Sequence, residues 1–248
     1  METVGTVLAA KISPEMRKAS ANEDKFTLRA RAIVKMAREE GFEYKEPNAK
    51  AVNLKGDIAN AIRSQGVPER IVSVFLQPDG PKLTTATKAV VKFLSSPRDA
   101  WCLVLAGHPG TGKSTAAAHY LWVTADTHNV GSSTAQRWYT AHEVSRISNY
   151  SNSAGYKSDL EKIMRVPVLV IDDLGVEYLD KNGFFNSRFD EIMDARYNNF
   201  RKTIITTNLA PDNFQKRYGK RVTTRIRHGF KAGGGDLYVQ VNEESMRS

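Results

Sequence analysis

The stretch "LVLAGHPGTGKSTAAAHYL", residues 103–121, decides the fold because it joins a strand, a glycine-rich turn and a helix in the order that a phosphate-binding loop requires. An apolar run at residues 101–106 predicts the strand, and the alanine-rich segment after the turn predicts the helix. The turn fits the spacing Gly-x4-Gly-Lys-Ser from Gly107 to Ser114. An ordinary glycine turn is the alternative, and the correct flanking elements argue against it.

The residues of this loop suit a polyphosphate. Glycines let backbone N–H groups turn inward around phosphate oxygens, and the helix that follows presents unpaired N–H groups and its positive dipole end. Lys113 is placed to reach the terminal phosphates, and Ser114 is placed to ligate a magnesium ion. The residues expected to bind the nucleotide here are Gly107, His108, Pro109, Gly110, Thr111, Gly112, Lys113, Ser114 and Thr115.

A carboxylate pair follows a second apolar strand downstream. The stretch "VPVLVIDDLG" places Asp172 and Asp173 at the end of a strand predicted over residues 166–171. Adjacent carboxylates repel each other, and the repulsion is relieved when one binds a cation and the other an ordered water. The simplest division gives Asp172 the magnesium ion and Asp173 the polarisation of the attacking water. An Asp-Asp turn without function is the alternative, and the phosphate loop upstream argues against it.

The next apolar strand, "KTIITTNL", ends in Asn208, whose amide can hold the γ-phosphate or the lytic water without adding charge. Beyond it, "YGKRVTTRIRHG" is strongly basic: residues 201–231 contain nine Lys and Arg against the single acidic Asp212. An arginine from a neighbouring subunit commonly stabilises the charge that gathers on the γ-phosphate, and we assign this role to Arg225. Lys220 and Arg227 are interpreted as solvated residues or nucleic-acid contacts.

Composition restricts the class of protein. The formal charge of +9 favours contact with nucleic acid or another polyanion, although a basic face is often only solvated. The single cysteine, Cys102, excludes a disulfide framework, and the five histidines show no metal-ligand spacing. The chain shows neither an apolar run of membrane-spanning length nor a signal-peptide pattern, so we expect no membrane association and a cytoplasmic location.

The chain divides into three predicted parts. Residues 1–65 predict a small helical N-terminal module, 66–97 a linker with a lead-in helix, and 98–248 the domain that carries the phosphate loop. The family resemblance given below implies that the first part binds a partner and that the last is an ATPase domain. From residue 101 onward, strands alternate with helices, which predicts a parallel sheet covered on both faces and hence an α/β fold. Helices are predicted at 24–40, 54–63 and 84–94, and strands at 101–106, 137–140, 166–171, 203–207 and 237–241.

The ordered set GHPGTGKS, VLVIDDLG, TIITTNL and RYGKRVTTR resembles the AAA+ ATPases of the DnaC-type helicase-loader family and the related IstB-type transposition ATPases. The resemblance covers about residue 66 to the C-terminus and begins with "GVPER", which is similar to a stretch that often precedes this ATPase core. Each motif alone is shared by many P-loop proteins, whereas the four in this order are much more specific.

The resemblance implies a AAA+ P-loop core in which the strand ending at Asn208 lies between the phosphate-loop strand and the strand ending at Asp172. It implies ATP and Mg²⁺ bound at a subunit boundary, with Lys113 and Ser114 in Walker A, Asp172 and Asp173 in Walker B, and Asn208 as sensor 1. It makes Arg225 the arginine finger that acts on the neighbour's ATP. The terminal "VNEESMR" is similar to the family's sensor 2 pattern without its aromatic residue, and implies that Arg247 contacts the nucleotide.

Three functions compete. The first is a helicase loader that binds ATP and DNA, with single-stranded DNA favoured, and helps to assemble a replicative helicase. The second is a transposition ATPase that assembles on duplex DNA and recruits a transposase. The third is a monomeric kinase for a small molecule. Because many AAA+ enzymes carry Glu where this chain has the shorter Asp173, the sequence predicts ATP binding but not fast turnover.

Overall fold

The computed structural model describes residues 54–77, 81–125, 136–150, 154–177, 183–232 and 238–243. Its helices are α1 Leu54–Ser64, α2 Glu69–Leu76, α3 Thr85–Leu94, α4 Lys113–Ala125, α5 Ala141–Asn149, α6 Ala154–Arg165, α7 Phe184–Asn198 and α8 Pro211–Ala232. Its strands are β1 Cys102–Gly107, β2 Gln136–Thr140, β3 Val168–Leu174, β4 Lys202–Thr207 and β5 Tyr238–Val241. The helix predicted at 24–40 lies outside the described residues. In the described ranges, no helix is both long and apolar enough to cross a membrane.

Within the described part of the chain, five strands form one parallel sheet in the order β2-β3-β4-β1-β5. Strand β4 therefore lies between β1 and β3, which confirms the AAA+ sheet implied by the resemblance. Strand β3 begins at Val168, two residues later than predicted, and runs on to Leu174. The late start follows Pro167, which has no N–H to donate to a neighbouring strand.

Helices cover both faces of the sheet, as the alternation of strands and helices predicted. Along β1, Leu103 and Leu105 pack with buried residues of α1, α2, α3 and α4. Cys102 and Val104 point the opposite way and pack with residues of α5, α6, α7 and α8. Successive side chains of a strand alternate between faces, so a strand buried on both sides is apolar throughout. This explains the uninterrupted apolar run that precedes the phosphate loop.

The segment between residues 66 and 81, interpreted from the sequence as a linker, contains a helix in the structure. Helix α2 buries Ile71, Val72 and Phe75 in the core on the α4 side of the sheet. The turn before it contains Gly66, which has a φ of 95° and where an added Cβ would lie 2.9 Å from the carbonyl oxygen of Trp138. The proline and glycine punctuation therefore marks a tight turn into a packed helix. The three-part division of the chain stays a prediction.

His119 is a buried polar side chain in the P-loop helix α4. It is 1% exposed, and its ring lies 4.8 Å from the ring of Phe75. Within the described part of the chain, neither ring nitrogen has a hydrogen-bond partner. Burial lowers the pKa of His119 to about 3, so the imidazole is neutral near pH 7.

This burial predicts a pH-dependent loss of stability. An unfolded histidine has a pKa of about 6.5, so between that pH and about 3 the unfolded chain binds a proton that the folded chain does not. The free energy of unfolding therefore falls as the pH falls through this window. When the pH is lowered from 7 to 5, the wild type should lose about 2 kcal/mol more free energy of unfolding than His119→Leu does. Urea denaturation at both pH values measures this difference.

The matched control is His142→Leu, because His142 is exposed on α5. Its stability should follow that of the wild type over the same range. A His119→Leu variant whose stability runs parallel to that of the wild type at both pH values would contradict the assignment of a neutral buried imidazole.

Candidate nucleotide-binding site

The phosphate loop lies between the end of β1 and the start of α4. Gly107 has a φ of 151°, and a Cβ at this position would lie 2.2 Å from the carbonyl oxygen of Val241 on β5. Gly110 and Gly112 both adopt a φ of 85°, in the left-handed region that favours glycine. Each of these positions therefore needs glycine for a reason of backbone geometry or space, as expected of a loop that presents its backbone to a ligand.

Lys113 is the first residue of α4, and its side chain folds back into the phosphate loop. Its Nζ donates to the carbonyl oxygens of Gly107 and His108 at 2.8 and 2.7 Å, and the residue is 5% exposed. The hydroxyl of Thr111 also donates to the carbonyl oxygen of His108. His108 and Pro109 are exposed on the outer side of the turn. The ammonium group is thus held at the centre of the loop, where the positive charge would face a bound phosphate.

Three elements meet at Asp172. Ser114 Oγ, at the start of α4, donates to Asp172 Oδ1 at 2.7 Å. Thr206 Oγ1, on β4, donates to the same oxygen at 2.6 Å. Asp172 itself is 0% exposed at the end of β3. The structure therefore brings together the two residues, Ser114 and Asp172, that the sequence assigns to one metal ion.

The free oxygen of Asp172 tests whether a cation fits. Asp172 Oδ2 is buried and makes no hydrogen bond to any described residue, so an acceptor remains open beside the serine hydroxyl. Burial raises the pKa of Asp172, the hydrogen bond from Thr206 opposes that rise, and the charge of Asp173 adds to it. A nearby cation favours the ionised form. Hard oxygen ligands of this kind suit Mg²⁺, which takes its remaining ligands from water and phosphate.

Asp173 adopts an unusual backbone conformation next to this oxygen. Its φ is 57°, and its N–H donates to Thr206 Oγ1 at 2.9 Å. Thr206 therefore accepts from one Walker B residue while it donates to the other. The carboxylate of Asp173 is 42% exposed, so it can reach solvent beside the buried Asp172. A left-handed non-glycine residue at a strand end is costly and typical of functional sites.

Asn208 directly follows β4 and is exposed. Because β3 and β4 are adjacent parallel strands, Asn208 lies at the same edge of the sheet as the two aspartates. This position agrees with the sensor role assigned from the sequence, which stays a prediction.

Arg225 contacts carboxylates of its own chain. Its guanidinium pairs with Asp190, at 3.3 Å, and with Asp194, both on α7, and its side chain is 15% exposed. The neighbouring Arg221 approaches the same two carboxylates at 3.4 and 3.7 Å but is 66% exposed. The finger role of Arg225 stays a prediction, and it requires these ion pairs to open. Arg247 lies outside the described residues.

The strand that carries the aspartates is connected to the basic helix α8 by a buried carboxylate. Glu177 Oε1 accepts from Arg217 Nε at 3.0 Å and from the Tyr218 hydroxyl at 2.6 Å. Glu177 Oε2 accepts from the N–H of Gly175 at 2.7 Å. Helix α8 is interrupted just beyond, at Gly219, where φ is 89°. A shift in the backbone at the end of β3 would therefore be transmitted to α8 through the contacts of Glu177.

Sequence reasoning missed two residues at this site. Arg70, at the start of α2, lies 3.7 Å from Asp172 Oδ2 and 3.8 Å from Asp173 Oδ2. Thr206 carries no prediction of its own beyond its place in an apolar strand. Their signals were weak: Arg70 stands in the stretch "GVPER", and Thr206 is a polar residue in an apolar strand two positions before Asn208.

Three aromatic side chains of a type that stacks on nucleic-acid bases, those of Trp138, Tyr150 and Tyr156, differ in exposure. Tyr150 is 60% exposed, and its ring lies 5.6 Å from that of Tyr156. Trp138 is 3% exposed in the core and has no face open to a base. Lys220 and Arg227 are exposed on α8.

Comparison with known proteins identifies relatives of the ATPase core. The family described as "IstB-like ATP binding protein" matches residues 77–248. None of the curated protein sequences matches the chain significantly. The structure is similar to the crystal structure of the DnaC helicase loader, with a TM-score of 0.54 and 21% identity over 71% of this chain and 100% of that chain. At this identity the likeness shows the fold alone.

Two further solved structures resemble this one at lower scores. The crystal structure of DnaI has a TM-score of 0.48 and 21% identity, over 65% of this chain and 82% of that chain. AMPPCP-bound DnaA from Aquifex aeolicus has a TM-score of 0.41 and 17% identity, over 57% of this chain and 40% of that chain.

Proposed function

We propose that this chain, which belongs to the family of IstB-like ATP binding proteins, is an ATP-dependent helicase loader whose nucleotide state governs its assembly on DNA and on a replicative helicase. The observation that carries the nucleotide part is the hydrogen bond between Ser114 Oγ and Asp172 Oδ1, which joins the phosphate loop to the end of β3. The loader is proposed first because the chain shares its fold with the DnaC helicase loader over 71% of this chain and 100% of that chain, and the identity of the partner rests on the capture experiment below.

The loop residues bind the triphosphate in this proposal. Backbone N–H groups between Gly107 and Gly112 surround the phosphates, and Lys113 Nζ exchanges its loop carbonyls for phosphate oxygens. Ser114 Oγ and Asp172 Oδ2 would hold Mg²⁺, which would supply charge neutralisation for the phosphate oxygens. Asp172 remains oriented by the hydroxyl of Thr206.

The exposed residues Asp173 and Asn208 act in ATP hydrolysis in this proposal. Asp173 accepts a hydrogen bond from the attacking water, and Asn208 orients the water or the γ-phosphate. The carboxylate of Asp173 is one methylene shorter than the glutamate common at this position, so it must reach further for the water. We therefore propose an ATPase that turns over slowly.

DNA contact is assigned to the basic helix α8. Its exposed Lys220 and Arg227 suit phosphate contacts, whose affinity falls steeply with salt. The exposed ring of Tyr150 suits stacking on the bases of single-stranded DNA. The contacts of Glu177 with Arg217 and Tyr218 offer a route from the nucleotide site to this helix.

The second candidate, a transposition ATPase, is favoured by the description of the matching family as IstB-like. In that case the chain assembles on duplex DNA and recruits a transposase. The ATPase core is the same in both proposals, and the difference lies in the partner.

A capture experiment with the full chain tests the proposed partner. Immobilised protein is incubated with purified replicative helicase, or with transposase and duplex DNA, in the presence of ATP and Mg²⁺. We expect helicase to be retained about tenfold above the level retained by Lys113→Ala, which lacks the ammonium group that engages the phosphates. The bound helicase is measured by quantitative immunoblotting.

Retention of transposase on duplex DNA, with no retention of helicase, would replace the loader by the second candidate. Equal retention of helicase by the wild type and by Lys113→Ala would show that ATP does not govern assembly.

A further inference from the structure

Arg70 provides a positive charge at the aspartate pair from a helix outside the phosphate loop. It is the second residue of α2, and its side chain is 54% exposed. Its Nη2 lies 3.7 Å from Asp172 Oδ2 and 3.8 Å from Asp173 Oδ2. One guanidinium nitrogen is thus nearly equidistant from both carboxylates, on the side where Asp172 Oδ2 makes no hydrogen bond.

The distances indicate that these ion pairs are easily exchanged. Both separations exceed the 2.7–2.9 Å that is typical of a charge-assisted N–H···O bond. Solvent reaches more than half of the arginine side chain, so the attraction is screened and its loss costs little. The helix itself is fixed, because Ile71, Val72 and Phe75 are buried in the core. The backbone therefore stays in place while the guanidinium is free to turn.

A triphosphate bound in the phosphate loop would have its terminal phosphate near this guanidinium. Ser114 lies in the first turn of the P-loop helix and contacts Asp172, so a triphosphate held at that helix end would have its γ-phosphate beside the aspartates. Once a cation neutralises Asp172, the attraction of Arg70 for the carboxylates weakens. A γ-phosphate with several charged oxygens is then the stronger partner for a planar guanidinium fork. A diphosphate offers no such partner at this position.

We propose that Arg70 discriminates ATP from ADP by exchanging the Asp172 and Asp173 carboxylates for the γ-phosphate of ATP in its own subunit. This inference rests on the proposed nucleotide site and adds to it a residue that acts in cis. Arg225 is assigned the complementary role from the neighbouring subunit. Through this exchange, the contacts of α2 differ between the ATP and ADP states. Helix α2 follows α1 after a short turn.

The test compares nucleotide affinities rather than turnover. Isothermal titration calorimetry in Mg²⁺ measures the binding of a nonhydrolysable ATP analogue and of ADP to the wild type, Arg70→Ala and Arg70→Lys. We expect Arg70→Ala to weaken the analogue about tenfold or more, as for loss of a charge-assisted hydrogen bond, and ADP less than about twofold. Arg70→Lys should fall between, because it keeps the charge but loses the fork.

Arg63→Ala is the matched control. Arg63 lies in the last turn of α1 and pairs with Glu69 at the surface, so its removal changes the net charge equally without touching the aspartates. Both of its affinities should match those of the wild type. Thermal denaturation of all four proteins establishes that each is folded.

The outcomes separate this inference from the proposed function. An Arg70→Ala variant that binds both nucleotides like the wild type, or loses both equally, overturns the role of Arg70 and leaves the nucleotide site standing. A wild type that binds neither nucleotide overturns both.

Discussion

Replacing Arg225 by alanine is expected to lower ATP turnover about a thousandfold, because an arginine that acts on the γ-phosphate typically contributes at least this much. In the proposed assembly, Arg225 leaves Asp190 and Asp194 of its own chain and reaches the ATP of a neighbour. The measurement is steady-state phosphate release at saturating ATP and Mg²⁺, at a protein concentration at which the wild type is assembled.

Mixing two defective subunits shows in which subunit Arg225 acts. A Lys113→Ala subunit has an impaired phosphate loop but an intact Arg225, whereas an Arg225→Ala subunit has the reverse. When the two are mixed, the Arg225→Ala sites that face a Lys113→Ala neighbour should recover turnover. Recovery requires action between subunits, since neither protein is competent alone.

Arg221→Ala is the matched control, since Arg221 approaches the same two carboxylates and carries the same charge. It should keep most of the wild-type turnover. If mixing restores nothing, and turnover per chain is the same at every protein concentration, Arg225 does not act between subunits. The subunit-boundary proposal then fails, and the small-molecule kinase gains support.

The phosphate loop and the aspartate pair could be predicted because each depends on a short continuous segment. Gly107 to Ser114 and the run ending at Asp172 carry their own strand and turn signals. The contact that joins them spans 58 residues and is fixed by the sheet order, with β4 inserted between β1 and β3. The family resemblance supplied that order, which the alternation of strands and helices alone does not determine.

The remaining site residues could not be predicted because tertiary packing places them. Thr206 differs from its neighbour Thr207 only in position: one hydroxyl donates to Asp172 and the other to the backbone of Leu174. Arg70 reaches the aspartates only because α2 packs on the core, and a segment rich in proline and glycine gave little indication of a helix. The paired state of Arg225 similarly depends on α7 lying against α8.

The buried Arg196 carries the second large expected effect, on stability. It lies on α7 with 0% exposure, and its guanidinium donates to Thr203 Oγ1 and to the carbonyl oxygens of Ile163, Val166 and Lys202, at 2.8–2.9 Å. Burial lowers its pKa to about 9, so it remains charged at neutral pH. The carbonyls include that of Ile163, near the C-terminal end of α6, where no backbone N–H follows to satisfy it.

We expect Arg196→Met to lower the free energy of unfolding by about 3–5 kcal/mol, because it leaves several buried acceptors without a donor while only part of that cost is offset by removing a buried charge. Urea denaturation followed by circular dichroism measures the change. Arg165→Met is the control, since Arg165 is exposed at the end of α6, and it should cost no more than about 0.5 kcal/mol.

Arg196→Lys separates the charge from the hydrogen bonds of Arg196. Lysine keeps the positive charge, but a single nitrogen cannot reach acceptors on three sides, so we expect most of the loss to persist. Full stability in Arg196→Lys would show that the positive charge near the end of α6, not the set of hydrogen bonds, stabilises the fold. Full stability in Arg196→Met would show that water satisfies the carbonyl oxygens instead. Arg196 donates to the carbonyl oxygen of Lys202, where β4 begins, and β4 carries the Thr206 that orients Asp172. Substitution of Arg196 should therefore also weaken nucleotide binding.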